Sequence, residues 1–365
     1  MDYRFEGEAI KRKLSDAGIY RPLNEYNPEP ENDRISIGYS YPIKAFEKFL
    51  GYYDSYYNIA YNPSISFNTD FSLIFSACRY KADGNKDIVV LDGKPADRYI
   101  ERYRKPLEFF RKNTDIKGSF SFYIKRYRKY KEAKGMSESS AVASAVARSI
   151  IKNVYGDEAG KDDSIVSRYA RMVSGSGTRA AVNGPSIWLS YPGISEKESF
   201  AVRVPSDVSK INYAIFPENI DYQTVSAHSE AVKSPFYESW IAEKYRRIGE
   251  IMNGDFNVND LMERATEDMF SLNSVLMSRG NIVQTPESLK TLKKFLEFKK
   301  NNNDIYITGD TGPSLMVMSL DKSLLNEFLE FSGTGYLMGS HNPDAHRKYF
   351  NEFRKESDEY FSNIS

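Results

Sequence analysis

The sequence predicts an α+β fold in two units, and three features of the 365-residue chain indicate it. Strand-like alternation of apolar and polar residues occurs near residues 34–44, 87–93 and 118–128, as expected for half-buried strands. An Ala-rich stretch at 139–156 and most of residues 239–300 have the pattern of helices. Strand-like residues return at 304–320, so strands and helices are mixed along the whole chain.

In chain order, the first 30 residues predict a helix followed by a loop rich in Pro and Asn. Strands are predicted at "RISIGYSYPI", "DIVVLDG" and "GSFSFYIKRYR". The helix "SSAVASAVARSIIKNVYG" carries small residues on its inner face and ends at Gly156, which is a favourable C-cap. Residues 164–190 then predict a helix, a loop of Gly and Ser, and a strand.

A second unit is predicted to begin near residues 195–205. There "FAVRVPSD" and "KINYAIFPE" predict a strand pair that opens this unit. A mostly helical region follows, then "DIYITGDTGPSLMVMSL" predicts two strands around a Gly-Pro turn, and a charged amphipathic helix begins at Asp344. We therefore expect an N-terminal domain with an N-terminal extension over residues 1–200 and a C-terminal domain over residues 201–365.

Composition narrows the class of function. Fifty basic and fifty acidic side chains cancel, so no overall charge points to nucleic acid or a membrane surface. The single Cys78 excludes an internal disulfide and a multi-cysteine metal site, and three histidines argue against a His-based metal centre. No apolar run reaches the roughly 18–20 residues of a membrane span, and the N-terminus lacks the apolar core of a signal peptide. We expect a cytoplasmic protein that holds no metal.

The stretch "KGMSESSAVASAVARS" has the layout of a loop that cradles a phosphate at a helix N-terminus. Its residues Gly135, Ser137, Ser139 and Ser140 suit that role, whereas Glu138 would set a carboxylate against an anionic ligand. Read locally, the stretch also fits an ordinary helix start in which Ser137 is the N-cap and Glu138 favours the helix dipole.

Two further loops could bind or transform a ligand. In "SGSGTR", Ser174, Gly175 and Ser176 could bind oxyanions and Arg179 could clamp a carboxylate or phosphate. The same sequence also fits a flexible turn with a surface arginine. In "TGDTGPS", Asp310 is either a turn former or a rigidly held catalytic carboxylate.

Two lysines, Lys44 and Lys48, lie four residues apart in "YPIKAFEKFLG". A helix would place them on one face, and a solvated lysine pair is the simplest interpretation.

The order of these motifs resembles the mevalonate diphosphate decarboxylase family, a branch of the GHMP kinase superfamily. The family has a Lys-Tyr-Trp-Gly block, a Gly-rich loop, a Ser-Gly-Ser-x-x-Arg block, a Thr-Ser-Pro block and an Asp-Ala-Gly-Pro block, and residues 34–320 follow this order. The resemblance implies a GHMP-type two-domain fold. Its N-terminal part would resemble domain 2 of ribosomal protein S5, and its C-terminal part would be an α/β sandwich.

The resemblance also implies roles for individual residues. Lys48, Arg179 and Asp310 match the catalytic Lys, Arg and Asp of the family. Tyr52 stands where the family has a phosphate-binding lysine. The residues expected at the substrate, besides that group, are Ser174, Gly175, Ser176, Tyr52, Ser226, His228 and Ser229.

The departure at Glu138 indicates that nucleotide binding is lost while the catalytic group is kept. This combination resembles the archaeal ATP-independent mevalonate 3,5-bisphosphate decarboxylases, which convert that substrate to isopentenyl phosphate, phosphate and carbon dioxide. The resemblance implies no cofactor, a phosphorylated mevalonate as ligand, no nucleic acid, no membrane, and leaves a homodimer open. Three alternatives remain: an ATP-dependent phosphomevalonate or diphosphomevalonate decarboxylase, a mevalonate 3-kinase, and a catalytically inactive binding or regulatory homologue.

Overall fold

The computed structural model describes residues 1–130, 136–218, 224–339 and 344–364, without the side chains of residues 97, 98 and 224–226. The helices in this part of the chain are α1 (Tyr3–Asp16), α2 (Asp97–Thr114), α3 (Glu138–Tyr155), α4 (Asp157–Lys161), α5 (Asp163–Val173), α6 (Gly177–Ala180), α7 (Thr224–Ala231), α8 (Tyr237–Asn253), α9 (Val258–Met277), α10 (Pro286–Lys299), α11 (Lys322–Ser332) and α12 (Ala345–Asn363). None of them is both long and apolar enough to cross a membrane.

The strands of the described residues form three main sheets and one hairpin. They are β1 (Ile35–Ser40), β2 (Ile43–Glu47), β3 (Tyr52–Asp54), β4 (Ile59–Ala60), β5 (Ser64–Asn68), β6 (Ser72–Lys81), β7 (Ile88–Leu91), β8 (Lys94–Pro95), β9 (Ser119–Arg128), β10 (Ser186–Trp188), β11 (Ala201–Arg203), β12 (Asn212–Phe216), β13 (Tyr306–Gly309), β14 (Leu315–Ser319) and β15 (Leu337–Met338). The predicted mixture of strands and helices is confirmed.

The first sheet has the strand order β1-β6-β9-β7-β8, and helix α3 packs against β1 and β6. This packing is close because Gly38 of β1 has no side chain. A Cβ atom there would lie 2.5 Å from the carbonyl oxygen of Ala145 and 2.7 Å from the amide nitrogen of Ser149. The small residues of α3 therefore pack directly on the backbone of β1 at Gly38. The Ala-rich sequence predicted small residues on the inner face of this helix.

The opposite face of this sheet is covered by the C-terminal helix α12. Phe75 of β6 stacks on Phe353 with ring centroids 5.0 Å apart, and Tyr127 of β9 stacks on Tyr349 at 4.5 Å. Strand β6 is consequently buried on both faces. Helix α12 lies in the predicted C-terminal domain by sequence but packs on the N-terminal sheet.

The N-terminal helix α1 belongs to the predicted N-terminal domain by sequence but packs on helix α8 of the predicted C-terminal domain. Tyr3 of α1 stacks on Tyr245 of α8 with ring centroids 5.6 Å apart, and its hydroxyl donates to the carbonyl of Glu238 at 3.2 Å. The packing therefore crosses the predicted division at residue 200 at both ends of the chain, and that division stays a prediction.

The predicted strand pair at the start of the second unit is wrong. Strand β11 is the edge of the second sheet, of order β11-β10-β5-β2, whereas β12 lies inside the third sheet, of order β13-β14-β12-β15. Both stretches are strands, but each finds its partners elsewhere in the chain. Ile187 of β10 pairs with Val202 of β11, and Ala214 of β12 pairs with Val317 of β14.

The third sheet is covered on both faces, by helices on one face and by the large core on the other. Val317 and its neighbours on one face pack with Phe295 of α10 and Phe328 of α11. Met316 on the other face belongs to the large core that also contains Leu261 of α9. Helix α9 lies against both β13 and β2, so it joins the second sheet to the third.

We expect Gly38→Ala to lower the free energy of unfolding by about 1–3 kcal/mol, because its methyl group meets backbone atoms of α3 that cannot move aside alone. Gly249→Ala is the matched control. Gly249 is within α8 with nothing within 4 Å of an added Cβ, so alanine should stabilise that helix by up to about 1 kcal/mol. Urea denaturation measures both. Equal midpoints for the two variants would contradict the close packing of α3 on β1.

Candidate active site

The predicted catalytic residues meet in one cavity of about 460 Å³, a volume typical of small-molecule sites. Its lining includes β2 and the two residues that follow it, the N-terminus of α3, helices α6, α7 and α9, and the turn after β13. The charged side chains that line it are Lys44, Lys48, Arg126, Arg179, Glu138, Glu218 and Asp310.

Asp310 lies in the turn between β13 and β14 and accepts a hydrogen bond from Lys44, with Nζ 3.0 Å from Oδ2. The prediction of a solvated lysine pair is wrong, because the segment is strand β2 and both lysines are buried. Burial would raise the pKa of the Asp310 carboxyl, but the Lys44 and Lys48 ammonium groups outweigh it and hold this pKa below its ordinary value.

Lys48 is held by groups from the C-terminal half of the chain. Its backbone N–H donates to Oδ2 of Asp268 at 2.9 Å, and its ammonium lies 3.3 Å from the same oxygen. The ammonium also donates to Oγ1 of Thr308 at 2.9 Å. Burial lowers the pKa of Lys48 to about 8, although the carboxylates of Asp310 and Glu47 oppose this shift.

Lys48 belongs to a group of buried charged side chains that contact one another. Lys244 of α8 donates to Oε2 of Glu47 at 2.6 Å and also contacts Oδ1 of Asp268. Arg247 lies one turn further along α8, with Nη1 3.6 Å from Oε1 of Glu47. We call these five residues the buried charge network, and all of them are at most 4% exposed. Sequence analysis missed its members on α8 and α9 because no local motif marks them.

Arg179 of α6 is a buried cation, and the charge of Asp310 acts on it although the two groups form no ion pair in the described part of the chain. Its side chain lies with Cζ 5.6 Å from the Phe49 ring centroid, and Nη1 donates to the carbonyl of Glu47 at 3.4 Å. Within the described ranges, Nε has no hydrogen-bond partner and no carboxylate lies within ion-pair distance of the guanidinium. Burial lowers the pKa of Arg179 to about 10, so the group is cationic at neutral pH. It can therefore receive an anion from the cavity.

The Ser-Gly-Ser loop is only partly at the cavity. Ser176 lines it, whereas Ser174 and Gly175 do not, and the hydroxyl oxygens of the two serines lie 3.0 Å apart. Gly175 packs so closely on Tyr52 that a Cβ atom would lie 2.7 Å from the phenol oxygen. Tyr52 consequently lies behind this loop, outside the cavity lining.

His228 lines the cavity and is the predicted residue of α7 that reaches it. The Gly51 N–H donates to its Nδ1 at 3.0 Å, and its ring stacks on Phe49 with centroids 5.2 Å apart. Burial lowers the pKa of His228 to about 4, so the imidazole is neutral at pH 7. Ser229 is exposed and outside the lining, and the side chain of Ser226 lies outside the described residues.

The phosphate-loop remnant starts α3 without a side-chain cap. Ser137 occupies the N-cap position with φ 57°, but its side chain makes no capping hydrogen bond. Ser137, Glu138 and Ser139 line the cavity. Ser140 is buried and donates to the carbonyl of Ser137 at 2.6 Å, while Gly135 lies outside the described residues.

Glu138 is paired rather than free. Its Oε1 accepts from Nε of Arg128 at 2.6 Å and its Oε2 from Nη2 at 2.8 Å, with Arg126 at 3.7 Å. This is a bidentate arginine–carboxylate pair that places a side-chain carboxylate at the helix N-terminus, where a phosphate would otherwise be favoured.

The sequence is similar to known proteins over most of its length. The family described as "Diphosphomevalonate decarboxylase-like N-terminal domain" matches residues 40–201. A protein named mevalonate 3,5-bisphosphate decarboxylase from Thermoplasma volcanium is 51% identical over 355 residues, which is 97% of this chain and 95% of that protein. This chain belongs to the mevalonate 3,5-bisphosphate decarboxylase family. A second protein of that name, from Thermoplasma acidophilum, is 49% identical over 98% of this chain and 88% of its own.

Solved structures confirm the predicted GHMP-type α+β fold for this member of the mevalonate 3,5-bisphosphate decarboxylase family. The mevalonate diphosphate decarboxylase from Enterococcus faecalis superposes with a TM-score of 0.71. The match covers 84% of this chain and 98% of that one at 18% identity.

We expect Asp268→Asn to lower the free energy of unfolding by about 3–5 kcal/mol, because the buried ammonium groups of Lys48 and Lys244 would lose a carboxylate that both of them contact. Glu267→Gln, one position earlier on α9, is the control. The Glu267 side chain is 43% exposed in its ion pair with Arg264, so its loss should change stability by less than about 1 kcal/mol. Urea denaturation of both variants checks this, and equal effects would contradict the role of Asp268.

Proposed function

We propose that this protein catalyses the ATP-independent decarboxylation of mevalonate 3,5-bisphosphate to isopentenyl phosphate, phosphate and carbon dioxide. The two relatives of that name support the substrate, since each is about half identical over nearly the whole chain. The observation that carries the assignment is the arrangement in the cavity, where Lys48, Arg179 and Asp310 remain together beside the paired carboxylate of Glu138.

The reaction needs two bonds to break in a concerted or stepwise sequence without a redox change. The bond from C3 to the phosphate oxygen breaks, and its electron pair leaves with the phosphate. The C1–C2 bond breaks, its pair forms the C2=C3 double bond, and C1 leaves as carbon dioxide. No nucleotide takes part, because the 3-phosphate is already present on the substrate.

The roles of the catalytic group follow from this chemistry. The Lys48 ammonium stabilises the negative charge that grows on the leaving phosphate. The guanidinium of Arg179, buried and without a protein carboxylate partner among the described residues, binds the substrate carboxylate in its leaving orientation. The ionised Asp310 stabilises the positive charge that develops at C3.

Glu138 is the reason we assign no ATP step. A carboxylate a few ångströms from a nucleotide phosphate costs about 1–4 kcal/mol for each close like-charge pair at surface-like dielectric. Arg128, which could otherwise neutralise a phosphate, is already bonded to Glu138 through both carboxylate oxygens. The ATP-binding contribution of this helix N-terminus is therefore replaced by an internal ion pair. The cytoplasmic location, the absence of a cofactor and the homodimer remain proposals alongside it.

Incubation with mevalonate 3,5-bisphosphate and no nucleotide should release phosphate and carbon dioxide in equal amounts. Asp310→Asn keeps the shape of the side chain but removes its charge, so we expect kcat to fall by about 10²-fold or more. Calorimetric titration with ATP and magnesium should give no saturable binding. Turnover that requires ATP would favour the ATP-dependent decarboxylase or the 3-kinase, and no turnover under either condition would favour the inactive homologue.

The rate should also report the protonation of Lys48. Because burial lowers its pKa to about 8, kcat/KM should be highest below pH 8 and fall as the ammonium loses its proton above it. Lys48→Arg should retain reduced activity and move this fall to higher pH, since a guanidinium stays protonated. Circular dichroism at each pH provides the control for unfolding. An unchanged alkaline fall in the variant would assign the titration to another group.

A further inference from the structure

We propose that Lys44 is a positioning residue that fixes the Asp310 carboxylate in its ionised form and orientation within the cavity. This inference rests on the proposed function, in which Asp310 acts as an anion. No motif of the resembled family marks Lys44, and its position in the sequence indicated a solvated side chain. The argument comes from its contacts, from the shape of strand β2 and from the charges that surround Asp310.

The contact is direct and sheltered. The Lys44 Nζ lies 3.0 Å from Oδ2 of Asp310, the Lys44 side chain is 9% exposed and that of Asp310 is 32% exposed. Within the described part of the chain, Asp310 is the only carboxylate within ion-pair distance of Lys44. An ammonium so placed has lost most of its hydration and depends on this one acceptor.

Lys48 cannot replace Lys44 in this task. Its ammonium donates to Thr308 and lies against Asp268, which the buried charge network holds in place. Lys48 acts on Asp310 through its charge, whereas Lys44 supplies the hydrogen bond. The two lysines therefore have different roles. Lys48 contributes charge, and Lys44 contributes charge and also orients the carboxylate.

Strand β2 is bulged in a way that allows both lysines to face the cavity. In a regular strand, residues 44, 46 and 48 would share one face, yet Phe46 is fully buried and stacks on Phe67 in the core. The pairing register of β2 with β5 shifts between Ala45 and Glu47. Such a shift re-aims the side chains on either side of it, so that Phe46 enters the core while Lys44 and Lys48 line the cavity.

The electrostatic balance at Asp310 depends on this lysine. The charged groups that act on the carboxyl are Lys44, Lys48 and Arg179, and burial opposes all three. Lys44 has the largest effect of the three cations and alone adds a hydrogen bond. Without Lys44, fewer cations oppose the effect of burial, and the pKa of the Asp310 carboxyl rises. A smaller fraction of the enzyme then carries the anion that the reaction needs.

The test compares Lys44→Met with Lys44→Arg over pH 3–8. We expect the methionine variant to lose about 10²-fold in kcat, with a smaller change in KM, and its acid limb to move up by about one pH unit or more. The arginine variant restores a cation and should keep the limb of the unmutated enzyme. The control is Lys11→Met, which removes a 2.6 Å ion pair between Lys11 of α1 and Glu198, neither of which lines the cavity. This variant should behave like the unmutated protein.

Two outcomes would overturn the proposal. One is a methionine variant with unchanged kcat and acid limb. The other is a loss in Lys44→Met that multiplies with the loss in Asp310→Asn, because a residue that acts through Asp310 should add little in the double variant. Carboxyl-carbon NMR of the ligand-free protein should show the pKa of Asp310 raised in Lys44→Met. That readout needs no turnover, so it separates this inference from a failure of the proposed function.

Discussion

Two fully buried carboxylates, Glu47 and Asp268, and the three cations around them are the constraint on which the site depends. A buried ion costs several kcal/mol unless its partners are in place, so strand β2 and helices α8 and α9 can combine in few arrangements. The network is therefore better understood as a device for placing Lys48 than as a source of net stability. From that position Lys48 lines the cavity.

The carboxylates in and beside the cavity are shared unequally among its cations. Lys44 is neutralised by Asp310, and Lys48 is shared between Asp268 and the hydroxyl of Thr308. Arg179 faces the cavity without such a partner among the described residues. In the proposed reaction the carboxylate and phosphates of the substrate bring negative charge to these cations. The Glu138 ion pair already occupies the neighbouring helix N-terminus.

Local pattern was a good guide to single elements and a poor guide to their partners. The Ala-rich helix α3, the long strand β9 and the turn that holds Asp310 all lie where periodicity and turn residues predicted them. The spacing of Lys44 and Lys48 fits one face of a helix and one face of a strand equally well, so it did not reveal the bulge. Strands β11 and β12 were predicted as a pair because they are adjacent in sequence, but hydrogen-bond partners are chosen across the fold.

The sequence by itself determined the order of elements, the family resemblance and the catalytic candidates Lys48, Arg179 and Asp310, because each depends on residues close together in the chain. Only the tertiary structure decided which lysine bonds to Asp310 and which carboxylates hold Lys48. Asp268 is 220 residues from Lys48, and Asp310 is 266 residues from Lys44. Contacts over such separations are set by packing and by the cost of burying a charge alone, and no local spacing encodes them.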